Sequence, residues 1–514
     1  MYSLLVYKKL SYIFFMISII SAQIYIPADP FDILFFEKKI IFGKEPPIAL
    51  LLRPVFISGN QSKSKWSLKV RNEFFYNSGA PNLENMSDRW IGKGVGYFSS
   101  LNFVYRNRYI AFSAEPYYFI SQNDDYDEPQ RIPKFSQLND NRPHIESPYI
   151  SYGIRELQAY ANYKGIGAGY SNANMWWGPG IHSSIMMTNN TSGFGHIFVG
   201  TIEEKRYNKW GFNWRYVFAK FDERTRYQPY FNAFAMSISY YSNFGTMLTI
   251  GMTKSAIIGG LYERSDSVSW QDAAFSALTL GVITDAFGRA EYSKNWNYDD
   301  NMAAAYIIAK IPKSDLVLFF EIGRNDVIWD LIDFILFPDH SIATNIGIRK
   351  YSLFNNKKLF FGIEYAKIFK PRLLQHLSSG DWYDREGFDF NSYNGRRWAA
   401  HSGSDSDDFL IIFGWLDDSF AILPSFNYER HGASQPTSRS GTDLILNQVN
   451  DIWPETKLEF RLDIRYKYKS YKLNLYYERE IILNLESRDK TRKGNVIWIG
   501  IERDIDKLFK KNKS

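Results

Sequence analysis

Thr456–Lys469 reads TKLEFRLDIRYKYK. In an extended chain Leu458, Phe460, Leu462, Ile464, Tyr466 and Tyr468 share one face. Glu459, Arg461, Asp463, Arg465, Lys467 and Lys469 share the other. Strict alternation over this length is the signature of a strand. A soluble sandwich also alternates, but it rarely charges one face so densely while keeping the other so aromatic. A strand held between lipid and a polar lumen needs both properties at once. Neighbouring segments repeat the pattern. Trp210, Phe212, Trp214, Tyr216 and Phe218 oppose Lys209, Gly211, Asn213 and Arg215, and Tyr471, Leu473, Leu475 and Tyr477 oppose Lys472, Asn474 and Glu478.

The rest of the chain fits this reading. Residues 1–22 have the layout of a secretory signal: Lys8-Lys9, an apolar run Leu10–Ile20, and the small pair Ser21-Ala22 before Gln23. No later apolar run is long enough for a transmembrane helix. Cysteine is absent, which excludes disulfides, thiolate metal sites and a lipid anchor on cysteine. The formal charge of +6 includes the two leader lysines and is too mild to argue for nucleic acid. Phe, Tyr and Trp make up 18% of residues, more than an ordinary soluble core needs, while the mean hydropathy is −0.33. Export, no helical span and abundant aromatic residues together predict an outer-membrane β-barrel.

Alternating segments begin near Trp66, Val95, Arg108, Ile154, Ile166, Phe194, Lys209, Phe231, Gly245, Met302, Asp315, Ile342, Lys357, Asp408, Ser419, Thr456, Ser470 and Gly494. The expected fold is all-β, a transmembrane antiparallel barrel of about 18 strands. Connections alternate in length. Arg106-Asn107, Lys164-Gly165, Ser242–Phe244, Ile311–Ser314, Asp417-Asp418 and Tyr468-Lys469 are short, whereas 77–94, 121–153, 175–193, 254–300, 324–341, 368–407 and 431–455 are long. Short periplasmic turns and long external loops are the rule for such barrels, so both barrel ends lie inside and every long loop outside. Ser269–Phe287 and Asp326–Phe337 read as small helical elements within loops. Residues 23–65 form a periplasmic or lumenal segment, with Ala49–Ile57 strand-like. The barrel spans 66–503, and 504–514 is a basic periplasmic tail in place of the usual terminal aromatic residue.

One segment breaks the rhythm. Met175–Asn190 reads MWWGPGIHSSIMMTNN. Pro179 fixes its own φ and gives no N–H, and Gly178 and Gly180 allow angles other residues avoid, so the chain must bend here. The bend carries Trp176 and Trp177 as either a buried wedge or a ligand platform, and the amide pair Asn189-Asn190 follows. A second stretch, Gly395–Asp408, reads GRRWAAHSGSDSDD and enters the strand at Phe409.

These two stretches, with the strand count, resemble the Wzi-like capsule assembly family, which shows a WWGPG turn followed by a small and apolar run ending in Asn-Asn. The second match is looser: Ala399-Ala400 precede His401, and Ser404 stands where the family tends to have proline. The resemblance implies an 18-stranded outer-membrane barrel acting as a surface lectin for capsular or other exopolysaccharide. Sugars stack their C–H faces on aromatic rings and pair their hydroxyls with amides and carboxylates. Trp176, Trp177, Asn189, Asn190, His401, Asp405 and Asp407 supply those groups and are the candidate glycan ligands, with the two loops meeting at the barrel mouth. Gly178, Pro179 and Gly180 are the structural turn.

Catalysis and cofactors find little support. The histidines include no pair at zinc-helix spacing. His182 beside Ser183-Ser184 lacks a signalled third group and oxyanion hole. Asp405, Asp407 and Asp408 have calcium-ligand chemistry without an EF-hand pattern and read as a solvated acidic loop. So does Asp124, Asp125, Asp127 and Glu128. Gly92-Gly94-Gly96 and Gly165-Gly167-Gly169 have the period of strands, not of a phosphate loop. The expectation is therefore a non-enzymatic protein without cofactor or metal, contacting outer-membrane lipid and surface polysaccharide. The alternatives are a subunit of a gliding-motility or type IX secretion-type envelope assembly, with other envelope proteins as partners, and a diffusion porin. Charges of both signs on 456–467 and 470–481 are expected to pair across the lumen and close it.

Overall fold

Alternation along the chain becomes a closed antiparallel barrel of 18 strands in a computed structural model. The structure describes residues 25–56, 65–81, 83–131, 138–141, 143–222, 228–258, 270, 274, 299–325, 342–368, 382–383, 391–432 and 454–505. The leader, the helix-like stretch Asp326–Phe337, nearly all of Ser269–Phe287 and the tail beyond Ile505 lie outside the described residues.

The strands are β1 (Lys65–Asn77), β2 (Gly94–Arg106), β3 (Ile110–Ser121), β4 (Tyr149–Tyr163), β5 (Ile166–Ser171) and β6 (His196–Thr201, resumed at Lys205–Tyr207). They continue with β7 (Trp210–Lys220), β8 (Tyr230–Tyr241), β9 (Met247–Ile258), β10 (Asp299–Ile311), β11 (Leu316–Asn325) and β12 (Ile342–Lys350). The last are β13 (Leu359–Ile368), β14 (Ser406–Leu416), β15 (Phe420–His431), β16 (Glu455–Tyr468), β17 (Tyr471–Leu483) and β18 (Arg492–Asp504). Each pairs with its neighbour in sequence, and β18 closes on β1 with Ile499 opposite Phe74. Closure leaves no unpaired edge, which is what lets strands sit in hydrocarbon. The last strand lies where its alternation placed it.

The faces sort as the pattern requires. On β16 Lys457, Glu459, Asp463 and Arg465 are buried inside, while Phe460 on the opposite face is 49% exposed. Exposed Tyr109, Tyr163, Tyr207, Trp210, Phe244, Phe354, Tyr468 and Tyr471 cluster at the short-turn end; Phe74, Tyr76, Tyr118, Tyr152 and Tyr170 lie toward the other. Two such aromatic belts bracket the hydrocarbon layer.

The segment before β1 holds a helix absent from the sequence reading, α1 (Pro30–Ile41). Its start signals were present. The Asp29 carboxylate accepts from the Asp32 N–H at 3.3 Å, Pro30 occupies the first helical position, and Lys38 and Lys39 fill the last turn. Leu34 and Ile41 pack on inward-facing Phe319, Phe360 and Leu416. Lys38 donates to Leu416 O, and Asp32 accepts from Lys472 Nζ at 2.9 Å, both beside short turns. The helix therefore occupies the short-turn end of the lumen. Beyond it, Leu52-Arg53 pair with Trp177-Trp176 as a two-residue ladder.

Candidate functional site: the capped lumen

The bend at Gly178–Gly180 turns the long connection between β5 and β6 into the barrel. Three polar side chains on adjacent strands receive it. Glu364 of β13 accepts from the N–H groups of Ile181 at 2.9 Å and Ser183 at 2.7 Å. Glu321 of β11 accepts from Ile185 N at 3.3 Å, and Asn345 of β12, its cross-strand partner, donates to Ser183 O at 3.0 Å. Backbone groups of a loop need partners once buried, and the wall supplies them. The fit explains Gly180: a Cβ there would overlap Ser183 O and the Glu364 carboxylate.

Arg349, also inward on β12, ties the two lumenal elements together. Its Nη1 donates to Pro179 O at 3.1 Å, while Nε and Nη2 grip Glu37 of α1 at 2.7 and 3.1 Å. Tyr351 adds a 2.7 Å hydrogen bond to Glu37, and Lys310 lies 3.6 Å away. Burial opposes ionisation of Glu37, but Arg349 and Lys310 outweigh it and hold the carboxyl at about 2. Arg53 donates to Gly180 O at 3.0 Å and lays its guanidinium 4.6 Å over the Trp176 ring. Burial, with Arg349 nearby, brings Arg53 down to about 9, still charged at neutral pH.

The two tryptophans are wedges. Trp176 is 0% and Trp177 1% exposed, so neither offers a ring face to a ligand, and the stacking platform expected from the sequence is corrected to a packing role. Trp177 joins Met186, Met187, Phe194, Phe231, Tyr393 and Trp398 in one lumenal cluster. The two loops do meet. Thr188 N–H donates to Trp398 O at 2.6 Å and its hydroxyl to Ala399 O at 2.7 Å; Asn190 Nδ2 donates to Arg397 O at 3.0 Å and to Asn139 Oδ1 at 3.0 Å. Asn190 is buried in these contacts, and Asn189, whose backbone O accepts from the Ser87 N–H at 2.8 Å, is buried beside it.

The acidic run before β14 is likewise not a solvated loop. Asp405, Asp407 and Asp408 are all buried. Asp407 takes the Arg430 guanidinium at 2.7 Å. Asp408 faces two imidazoles: His182 Nε2 at 3.1 Å and His401 Nε2 at 3.2 Å, with the rings edge to face at 4.5 Å. Burial works against charge on His182, yet the Asp408 carboxylate raises its imidazole to about 9. Asp408, Glu429 and Lys457 form a row across β14, β15 and β16, cross-strand partners in turn. Lys457 reaches Glu429 and Glu459 at 3.0 Å each and also Glu84. The lumenal charges thus pair along the wall and onto the caps, as Arg461 does with Asp463 at 2.8 Å, rather than across an open channel.

His182, Asp408, Glu321, Asn345, Glu364 and Arg349 were not singled out as site residues by the sequence. The inward positions of the last four were legible from parity; their convergence on one loop was not.

A family model for the capsule assembly protein Wzi matches residues 61–496. The chain belongs to the Wzi capsule assembly family. Both loop motifs lie within the matched span. Among solved structures, the Escherichia coli outer-membrane protein Wzi, described as a carbohydrate-binding β-barrel involved in group 1 capsule assembly, superposes with a TM-score of 0.58 at 10% identity, covering 91% of this chain and 97% of that one. At that identity the match establishes the shared barrel. The Pseudomonas aeruginosa outer-membrane protein OprD gives 0.41 at 8% identity, with 86% and 93% covered, and Acinetobacter baumannii OccAB3 gives 0.42 at 9%, with 86% and 98% covered. No curated relative matches the chain. The Wzi-family barrel described here is an outer-membrane protein whose lumen is occupied from both ends.

Proposed function

We propose that this protein is a non-enzymatic outer-membrane barrel that binds or organises capsular or other exopolysaccharide at the cell surface. One observation carries the reading: α1 and the Met175–Asn190 loop are both pinned to the same inner wall through Arg349. A barrel so filled is poorly suited to diffusion, which leaves its long-loop face as the working surface. Family membership supplies the substrate class. In this reading Trp176, Trp177, Asn189, Asn190, His401, Asp405 and Asp407 hold that face rigid instead of touching sugar. The partly exposed segment at 122–131, with Asp125 and Asp127 open to solvent, offers hydroxyl-pairing groups outside the cap. In the same reading residues 25–56 serve as a lumenal segment, residues 1–22 as an export leader and 504–514 as a periplasmic tail.

The test is retention of surface polysaccharide in a deletion strain, with and without the gene restored, alongside binding of the same polysaccharide to detergent-purified protein. Loss of retention and direct binding are expected. Stable channel conductance without glycan binding would assign a porin. Full retention with co-purification of other envelope proteins would assign an assembly subunit.

A further inference from the structure

The row that Asp408 begins has a feature the polysaccharide reading does not use. His182 comes from the bend loop, His401 from the loop before β14, and Asp408 from the wall. His182 Nε2 and His401 Nε2 both aim at Asp408, at 3.1 and 3.2 Å. Three ligands bound tetrahedrally at roughly 2.0–2.1 Å from a zinc ion lie about 3.3 Å from one another. The spacing to Asp408 is already that of a coordination shell, and one donor atom from each residue lies within 4.8 Å of the others.

The three donors are buried as well as close. His401 is 3% exposed; its Nε2 faces the Asp408 carboxylate at 3.2 Å, and its Nδ1 makes no hydrogen bond among the described residues. Asp408 Oδ2 has the two imidazoles at 3.1 and 3.2 Å, and Glu429 Oε2, buried on the same row, has Lys457 Nζ at 3.0 Å. Glu429 Oε2 lies 3.8 Å from His401 Nε2. Two imidazole nitrogens thus converge on one buried carboxylate, a donor set that suits a transition-metal ion.

We propose that His182, His401 and Asp408 bind a divalent transition-metal ion of the zinc class, with the fourth position directed toward Glu429. Two imidazole nitrogens and a carboxylate suit zinc, and do not suit calcium or magnesium, which prefer all-oxygen shells. The Asn427 amide, 2.8 Å from His182 Nε2, is the group the ion displaces. Lys457 sits among Glu84, Glu429 and Glu459, so this end of the row keeps a cation of its own beside the proposed metal. The ion joins two loops that are distant in sequence to one strand of the barrel, and so latches the cap shut.

The experiment uses full-length, untagged protein purified in detergent, stripped with chelator and reloaded with Zn²⁺. Elemental analysis after desalting is expected to give about one zinc per chain in the wild type. H401Q, H182Q and D408N are each expected to weaken binding at least about a hundredfold. Cobalt substitution should give the absorption of a tetrahedral nitrogen–oxygen site in the wild type and not in H401Q. Heat-modifiable mobility on gels reports barrel folding for each variant, so a fold defect is separable from ligand loss. Zinc binding should also slow hydrogen exchange in 175–190 and 398–408 together. Equal zinc retention by the wild type and all three variants, or none in the wild type because water alone fills the site, overturns the proposal.

Discussion

Replacing Glu37 with glutamine should release α1 from the lumen without unfolding the barrel. Glu37, Arg349, Lys310 and Tyr351 are buried together, and Glu37 is the carboxylate in direct contact with both cations. The variant keeps the shape and removes the charge, leaving a guanidinium and an ammonium without that counter-charge. Breaking a buried pair by removing one partner costs about 3–5 kcal/mol. The titration gives a similar figure: a carboxyl moved from 4.5 to about 2 contributes roughly 3 kcal/mol. Either value raises the fraction of molecules with α1 undocked by about a hundredfold or more.

Hydrogen exchange at neutral pH should show this in peptides covering residues 30–56, while peptides from β12 exchange as in the wild type. The pH dependence has a definite sign. The docked pKa lies below the undocked one, so the stabilisation is complete above about pH 4.5 and disappears as pH falls toward 2. Pepsin cleavage of the wild-type 30–56 segment, normalised to an unstructured peptide at each pH, should therefore rise steeply between those values, and E37Q should start higher and rise less, keeping only the part that Asp32 on Lys472 contributes. Unchanged exchange of α1 in E37Q, or a pepsin profile as steep in E37Q as in the wild type, would refute the assignment of Glu37 as the anchor.

Other expectations follow from the same geometry. Trp177→Ala should destabilise the cap by about 3–5 kcal/mol, seen as faster exchange across 175–190 with normal barrel mobility on gels. Gly180→Ala should loosen the same loop through overlap with Ser183 O and Glu364, and should raise planar-bilayer conductance above a wild type that conducts little. Lys457→Met should strand Glu84, Glu429 and Glu459 together in the wall, lowering the unfolding midpoint in denaturant by the equivalent of about 3–5 kcal/mol. Ile346→Arg, on the lipid face of β12, should cost about 2–4 kcal/mol in folding into bilayers and much less in detergent.

The helix α1 shows how local signals can be present and still be missed. Asp29-Pro30 is a helix start, but the segment is apolar nearly all round, and its periodicity is blurred because it is enclosed on most sides by the barrel. The acidic run Asp405–Asp408 misled in the opposite direction. Carboxylates in a Gly- and Ser-rich loop are solvated by default; the arrival of His182 and Arg430 from elsewhere, beside His401 of the same loop, makes their burial tolerable.

The sequence by itself determined the barrel: the number of strands, their order, which residues face lipid, and which end carries the long loops. These properties depend on period-two alternation and turn residues, which act between chain neighbours and survive without knowledge of the fold. It also marked the WWGPG bend as a place where the chain must turn. The tertiary structure alone decided which way. Glu321, Asn345 and Glu364 become a docking rail for that bend only when three strands lie side by side, and Trp176 is enclosed where Arg53 pairs with it and lies over its ring. Imidazoles from 182 and 401 meet a carboxylate at 408 because barrel closure brings those strands and loops to one wall. Local pattern carries no record of which distant side chain will satisfy a buried polar group, and that is where the work of this lumen lies.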